Sequence, residues 1–127
     1  MIENVLFKEK KLTIILDTGD QKEFDVGVAI YQVVYTQRHV VILLAWEDLY
    51  DTEYHNRNII CLNEQGEIVW RVENPDLLSI SKERTPNAFT NITLKKNNKI
   101  EAFKFDCYTV DIDINTGKFV SDWEFTK

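Results

Sequence analysis

A chain of 127 residues with 44% hydrophobic and 28% charged content is long enough to bury its own core and too apolar for global disorder, so a single domain over 1–127 is expected. A net charge of −6 and a pI near 4.9 leave no basic stripe for phosphate backbones or anionic membranes, which excludes direct nucleic-acid and membrane partners. Acidity predisposes the chain to a basic partner, although solubility alone also favours it.

The N-terminal stretch MIENVLFKEKK has no long apolar segment, so no signal peptide is expected. Val5 to Phe7 are apolar and Lys8 to Lys11 make a charged turn. Leu12, Ile14 and Leu16 alternate with their neighbours as a strand with one apolar face. Asp17-Thr18-Gly19-Asp20 is a turn, and Lys22, Phe24 and Val26 carry the return strand. Residues 1–26 therefore read as an N-terminal meander.

Ala29 to Tyr35 is a further strand, turned by Thr36 to His39. Val40 to Ala45 follows without polar interruption, which predicts a central strand covered on both faces. At this length it cannot span a bilayer. Trp46 to Arg57 is irregular. Asn58 to Leu62 and Glu67 to Val72 form a hairpin around Asn63-Glu64-Gln65-Gly66, with Ile68, Trp70 and Val72 expected on one face and Glu67 and Arg71 on the other. Both prolines lie between Glu73 and Ala88, where Pro75 suits the start of a short helical turn over Asp76 to Ile80. Phe89–Leu94, Ile100–Phe105, Cys107–Ile114 and Lys118–Phe125 complete the strands.

The second hairpin repeats the first. Gly66 aligns with Gly117, Ile59 with Val110, Cys61 with Ile112 and Ile68 with Phe119. Residues 28–72 and 89–125 thus make two four-stranded meanders. The expected fold is all-β, with about ten to eleven mostly antiparallel strands. The two blade-like meanders pack face to face, and the N-terminal meander covers an exposed edge, half-propeller or sandwich-like. The segments NIICLNEQGEIVWRV and YTVDIDINTGKFV resemble the outer strands of quinoprotein-type β-propeller blades, although two blades cannot close a ring and no quinone-binding residues accompany them.

Catalytic chemistry is sparse. Cys61 and Cys107 sit in apolar strand patterns and read as free thiols in a reducing compartment. His39 lies in a turn, and His55 in an acidic loop beside Asp51 and Glu53. Asp111 and Asp113 share one strand face, with Asp122 and Glu124 on the return strand. Paired carboxylates serve acid–base work or hard metals, but a solvated sheet face is the plainer reading. No phosphate loop and no Ser-His-Asp arrangement is present, so no enzyme, cofactor or metal is expected.

The strongest candidate is the loop Trp46 to Arg57, an insertion relative to the Phe105-Asp106 connection of the second repeat. Its rings offer anchors and its carboxylates long-range attraction for a cationic protein, with a solvated loop folded on the core as the alternative. Size, acidity and the ending DIDINTGKFVSDWEFTK resemble the small acidic immunity proteins of contact-dependent inhibition and other polymorphic toxin systems. The resemblance implies a cytoplasmic protein that is a monomer until it forms a heterodimer with a basic bacterial toxin, often a nuclease, and occludes its active site. Trp46, Glu47, Asp48, Tyr50, Asp51, Glu53 and Tyr54 would grip the partner. Asp111, Asp113, Asp122 and Glu124 would form a second acidic surface. The alternatives are a small β-domain binding a ligand or metal, and a structural module of a larger assembly.

Overall fold

The computed structural model describes residues 1–50, 52–75, 88–105 and 107–125. Three antiparallel sheets follow one another along the chain. The first contains β1 (Ile2–Lys8), β2 (Lys11–Leu16) and β3 (Gln21–Asp25). The middle sheet contains β4 (Ile30–Tyr35), β5 (Val40–Leu44), β6 (Ile59–Leu62) and β7 (Ile68–Arg71). The last contains β8 (Phe89–Lys95), β9 (Lys99–Lys104), β10 (Tyr108–Asp113) and β11 (Glu124–Phe125). Every neighbouring pair is a meander, as the turn spacing requires. The all-β expectation holds. The helical turn expected over Asp76 to Ile80 lies outside the described residues.

The uninterrupted apolar run of β5 explains the layering. Val40 to Leu44 are buried at every position, as are Ile59 to Leu62 in β6. Successive side chains point to opposite faces. Val41, Leu43, Ile59 and Cys61 join Phe89, Ile92, Ile100, Val110 and Ile112 of the last sheet. Val40, Ile42, Leu44, Ile60 and Leu62 join Leu12 and Ile14 of the first sheet. The N-terminal meander therefore covers a whole face of the middle sheet, not an edge. A strand pair without a polar face leaves no other arrangement that removes both faces from water.

Two further differences have local causes. Ile68 is 62% exposed rather than in the core. On β7, Trp70 pairs with Cys61 and Ile68 with Leu62, so Val69 is an extra residue and the two-residue alternation slips there. Trp70 stays inward. Lys118 to Phe125 is not one continuous strand: Phe119 makes a single bridge to Ile112, and pairing resumes only at Glu124. Between them the Asp111 N–H donates to the Ser121 hydroxyl at 2.8 Å, so a side chain replaces the ladder acceptor.

One packing device is used at both sheet boundaries. Gly66 and Gly117 close equivalent hairpins at φ +81° and +76°. A Cβ on Gly66 would lie 2.0 Å from the Phe24 ring, and one on Gly117 would lie 2.5 Å from the Trp70 ring. An aromatic from the outer strand of one sheet thus sits on the hairpin glycine of the next. Trp70 is fixed further by its indole N–H, which donates to the Ile114 carbonyl at 2.7 Å. Gly19, in the matching turn of the first sheet at φ +90°, has nothing within 4 Å of its would-be Cβ.

The three glycines therefore separate backbone strain from crowding. Gly19→Ala is expected to cost about 1 kcal/mol from its positive φ alone. Gly66→Ala and Gly117→Ala are expected to cost a further ~1–3 kcal/mol because a ring must move. Urea unfolding of the three variants measures this, and equal losses at all three positions would show that the ring seats carry no packing energy.

Candidate functional site

Alternation of up and down strands sends the connections to two ends. One end carries the turns before β3, β5, β7 and β9 and after β10. The other carries the β1–β2 turn, residues 45–58, the end of β7, the start of β8, and the β9–β10 turn. The ends are tied across sheets, by Ile2 N–H to Gln37 C=O and by Ile30 N–H to Glu9 C=O, each at 2.8 Å.

The long loop leaves the core where β5 ends and re-enters at Asn58. That fully buried amide donates to the Leu44 carbonyl at 3.0 Å and the Phe89 carbonyl at 2.8 Å, and its Oδ1 accepts from the Phe89 N–H at 2.9 Å. Asn58 therefore clamps both roots of the loop to β8 while leaving three backbone groups satisfied. A 3-10 turn over Trp46–Leu49 follows Ala45, and Leu49 drops into the core shared with the first sheet. The remainder doubles back through Asn56, whose Nδ2 donates to Asn74 Oδ1 at 3.3 Å, and Arg57, whose Nε donates to the Val72 carbonyl at 2.9 Å. The start of the second connection thus flanks the loop.

The expected contact residues separate into distinct roles. Glu47 accepts from the Tyr31 hydroxyl, and Asp48 accepts from the Ala29 N–H at 3.2 Å. Both carboxylates tie the loop to β4 and to the residue just before that strand. Tyr54 packs toward the core, and the Arg71 guanidinium lies 4.2 Å from its ring centroid. Trp46 is half-buried, while Tyr50 and Glu53 are exposed. Asp51 lies outside the described residues.

Sequence patterning missed the ring row that this arrangement creates. Phe105 packs edge-to-face on Trp46 with centroids 4.9 Å apart, Trp46 on His55 at 5.8 Å, and His55 on Tyr50 at 5.3 Å. Phe105 comes from the β9–β10 turn of the last sheet, far away in sequence, so no local pattern could pair it with Trp46. Tyr50 is 67% and Phe105 49% exposed, and the row therefore has an open side. Within it His55 Nε2 is enclosed without a hydrogen-bond partner among the described residues.

The second set of carboxylates divides. Asp111, Asp122 and Glu124 line a shallow hollow of about 90 Å³ on the outer face of the last sheet, together with Lys95 and Glu101. Lys95 Nζ bridges both Asp111 oxygens at 3.0 and 3.1 Å, and Asp111, Glu101 and Glu124 together hold the ammonium pKa above its usual value. Asp113 belongs elsewhere. It caps its own turn by accepting from the Asn115 N–H at 2.8 Å, and it faces the opposite end, where burial lowers the pKa of His39 despite the Asp113 charge. Among the described residues, no three His, Cys, Asp or Glu side chains are grouped to hold a metal ion. Burial also raises the Cys61 thiol to about 12, which keeps it protonated. No helix among the described residues is long and apolar enough to cross a membrane.

These features define an all-β domain of three consecutive meanders with one elaborated end. Residues 2–124 match the family described as a domain of unknown function, DUF7957, and the chain belongs to that family. No curated protein sequence matches it. Among solved structures it is similar to the computationally designed Ika8 protein, with a TM-score of 0.54 and 13% identity over 99% of this chain and 37% of that one. The computationally designed Ika4 protein gives a TM-score of 0.52 and 14% identity over 96% of this chain and 71% of that one. The chain thus spans just over a third of the Ika8 chain. At these identities the likeness concerns the fold.

Two outcomes test the geometry of this end. His55→Phe is expected to raise stability by about 1–3 kcal/mol, the usual penalty of an unpaired buried polar atom, and a thermal melt showing a loss instead would mean that Nε2 has a partner. Hydrogen bonding to Glu47 pushes the Tyr31 pKa up to about 12, from 10.0. The folded protein then holds that proton while the unfolded chain releases it. This contribution is complete below pH 10 and disappears as pH rises toward 12. Tyr31→Phe should therefore flatten the fall in stability between pH 10 and 12 relative to the parent, and parallel pH curves would discard the Tyr31–Glu47 bond.

Proposed function

We propose that the protein is an immunity protein that binds a basic bacterial toxin in the cytoplasm and occludes its active site, without catalysis of its own. The observation that carries this reading is the open ring row Phe105–Trp46–His55–Tyr50 on an acidic chain, held out by an internally braced loop. Rings that are packed against one another before binding lose little side-chain entropy on contact, which is what a tight interface needs from its anchors. The scheme expected from sequence is refined by the contacts. Trp46, Tyr50 and Phe105 serve as anchors, Glu47, Asp48 and Tyr54 hold the loop's shape, and Asp51 and Glu53 supply steering charge. The hollow at Asp111, Asp122 and Glu124 forms a secondary acidic surface, already partly neutralised by Lys95. A nuclease is the partner that fits best, because its own substrate cleft is cationic.

The reading is tested with the product of the adjacent open reading frame, which should be toxic to cells lacking this protein and form a one-to-one complex with it. The pair Asp51→Lys and Glu53→Lys should slow association severalfold and weaken its salt dependence, while the unfolding midpoint stays within ordinary surface-mutation limits. Stopped-flow association at two ionic strengths provides the measurement. An unchanged on-rate would remove the loop from the interface.

A further inference from the structure

We propose that the open ring row is the seat of an arginine side chain contributed by the protein partner, an assignment that rests on the immunity reading. Three observations support a guanidinium as the occupant. The same loop already uses one: Arg71 stacks on Tyr54 at 4.2 Å, and its Nη1 donates to the Arg57 carbonyl at 2.7 Å. That neighbouring seat is filled, and Lys104 lies 5.2 Å from the Trp123 ring centroid. Among the described residues no Lys or Arg lies over Trp46, Tyr50 or Phe105, although all three rings reach the surface.

The chemistry of the row favours a flat cation. Consecutive rings stand nearly perpendicular, at 86°, 81° and 79°, so edges meet faces, and Tyr50 and Phe105 at the two ends of the row are exposed to solvent. An exposed π face carries partial negative charge and attracts a cation within about 6 Å. Glu53 and the net charge of −6 add long-range attraction. A guanidinium is planar and weakly hydrated, so it stacks on a ring while its edge N–H groups reach neighbouring oxygens. A compact ammonium, more strongly hydrated, does this less well. A purely apolar anchor would use the rings but not the charge.

The test uses the full chain and N-acetyl-arginine amide as the probe, with N-acetyl-lysine amide and the neutral isostere N-acetyl-citrulline amide alongside. NMR titration should show saturable shifts at Trp46, Tyr50, His55 and Phe105 with the arginine amide. The lysine amide should bind at least threefold more weakly, and the citrulline amide should give no localised shift. Tyr50→Leu should reduce arginine affinity severalfold, and Tyr50→Leu with Phe105→Leu should abolish it, with spectral dispersion retained. Shifts spread evenly over the surface carboxylates, equal affinity for citrulline, or unchanged binding by the double variant would each overturn the proposal. Failure of the immunity reading shows separately, as the absence of any complex with the adjacent gene product, and leaves the titration unaffected.

Discussion

The constraint on which the molecule depends is that β5 and β6 have no polar face. Each of their nine residues is buried, and alternate side chains enter two different cores. Burying a single large aliphatic side chain is worth about 1.5–3 kcal/mol, so exposing either face would exceed the net stability of an ordinary domain. Both the first and the last sheet must therefore be present for the middle one to exist. Layers in this molecule are mutually obligatory.

The same constraint explains how the stack ends. On the first sheet the side chains opposite the core are Leu6, Thr13 and Glu23 in one row and Lys8, Lys11 and Asp25 in the next. On the last sheet Thr93, Glu101 and Asp111 share a row, followed by Lys95, Lys99 and Asp113. Outer rows made mostly of polar and charged side chains terminate a layered protein in the way capping repeats terminate a solenoid. The ring seats stop with them. Phe24 covers Gly66 and Trp70 covers Gly117, whereas Gly19 has an open seat. The C-terminal stretch places Ser121 and Asp122 four and five positions after its hairpin glycine, where Trp70 and Phe24 stand after theirs.

A rigid body of this kind is suited to holding out a loop of defined shape. Asn58 pins the loop roots, Leu49 anchors its first turn, and Glu47 and Asp48 brace it against β4 and the residues before it. Carboxylates that look like steering charges in the sequence are partly consumed as braces. The loop also exposes Tyr50 and Glu53. His55 Nε2, enclosed in the row with no hydrogen-bond partner among the described residues, is a local stability cost.

The sequence by itself determined the strand periodicity, the central position of Val40 to Ala45, the repeated hairpins with Gly66 and Gly117, and the insertion at Trp46 to Arg57. Those features are local: side-chain alternation, turn chemistry and loop length are written into adjacent residues. Tertiary structure alone decided that the first meander covers a face, that Phe105 completes a ring row begun by Trp46, and that Glu47 bonds to Tyr31. It also decided that Ile68 turns outward, since a one-residue slip in pairing is invisible in a pattern of period two. Each of these depends on which surfaces meet, and sheets separated by dozens of residues meet only when the chain is folded.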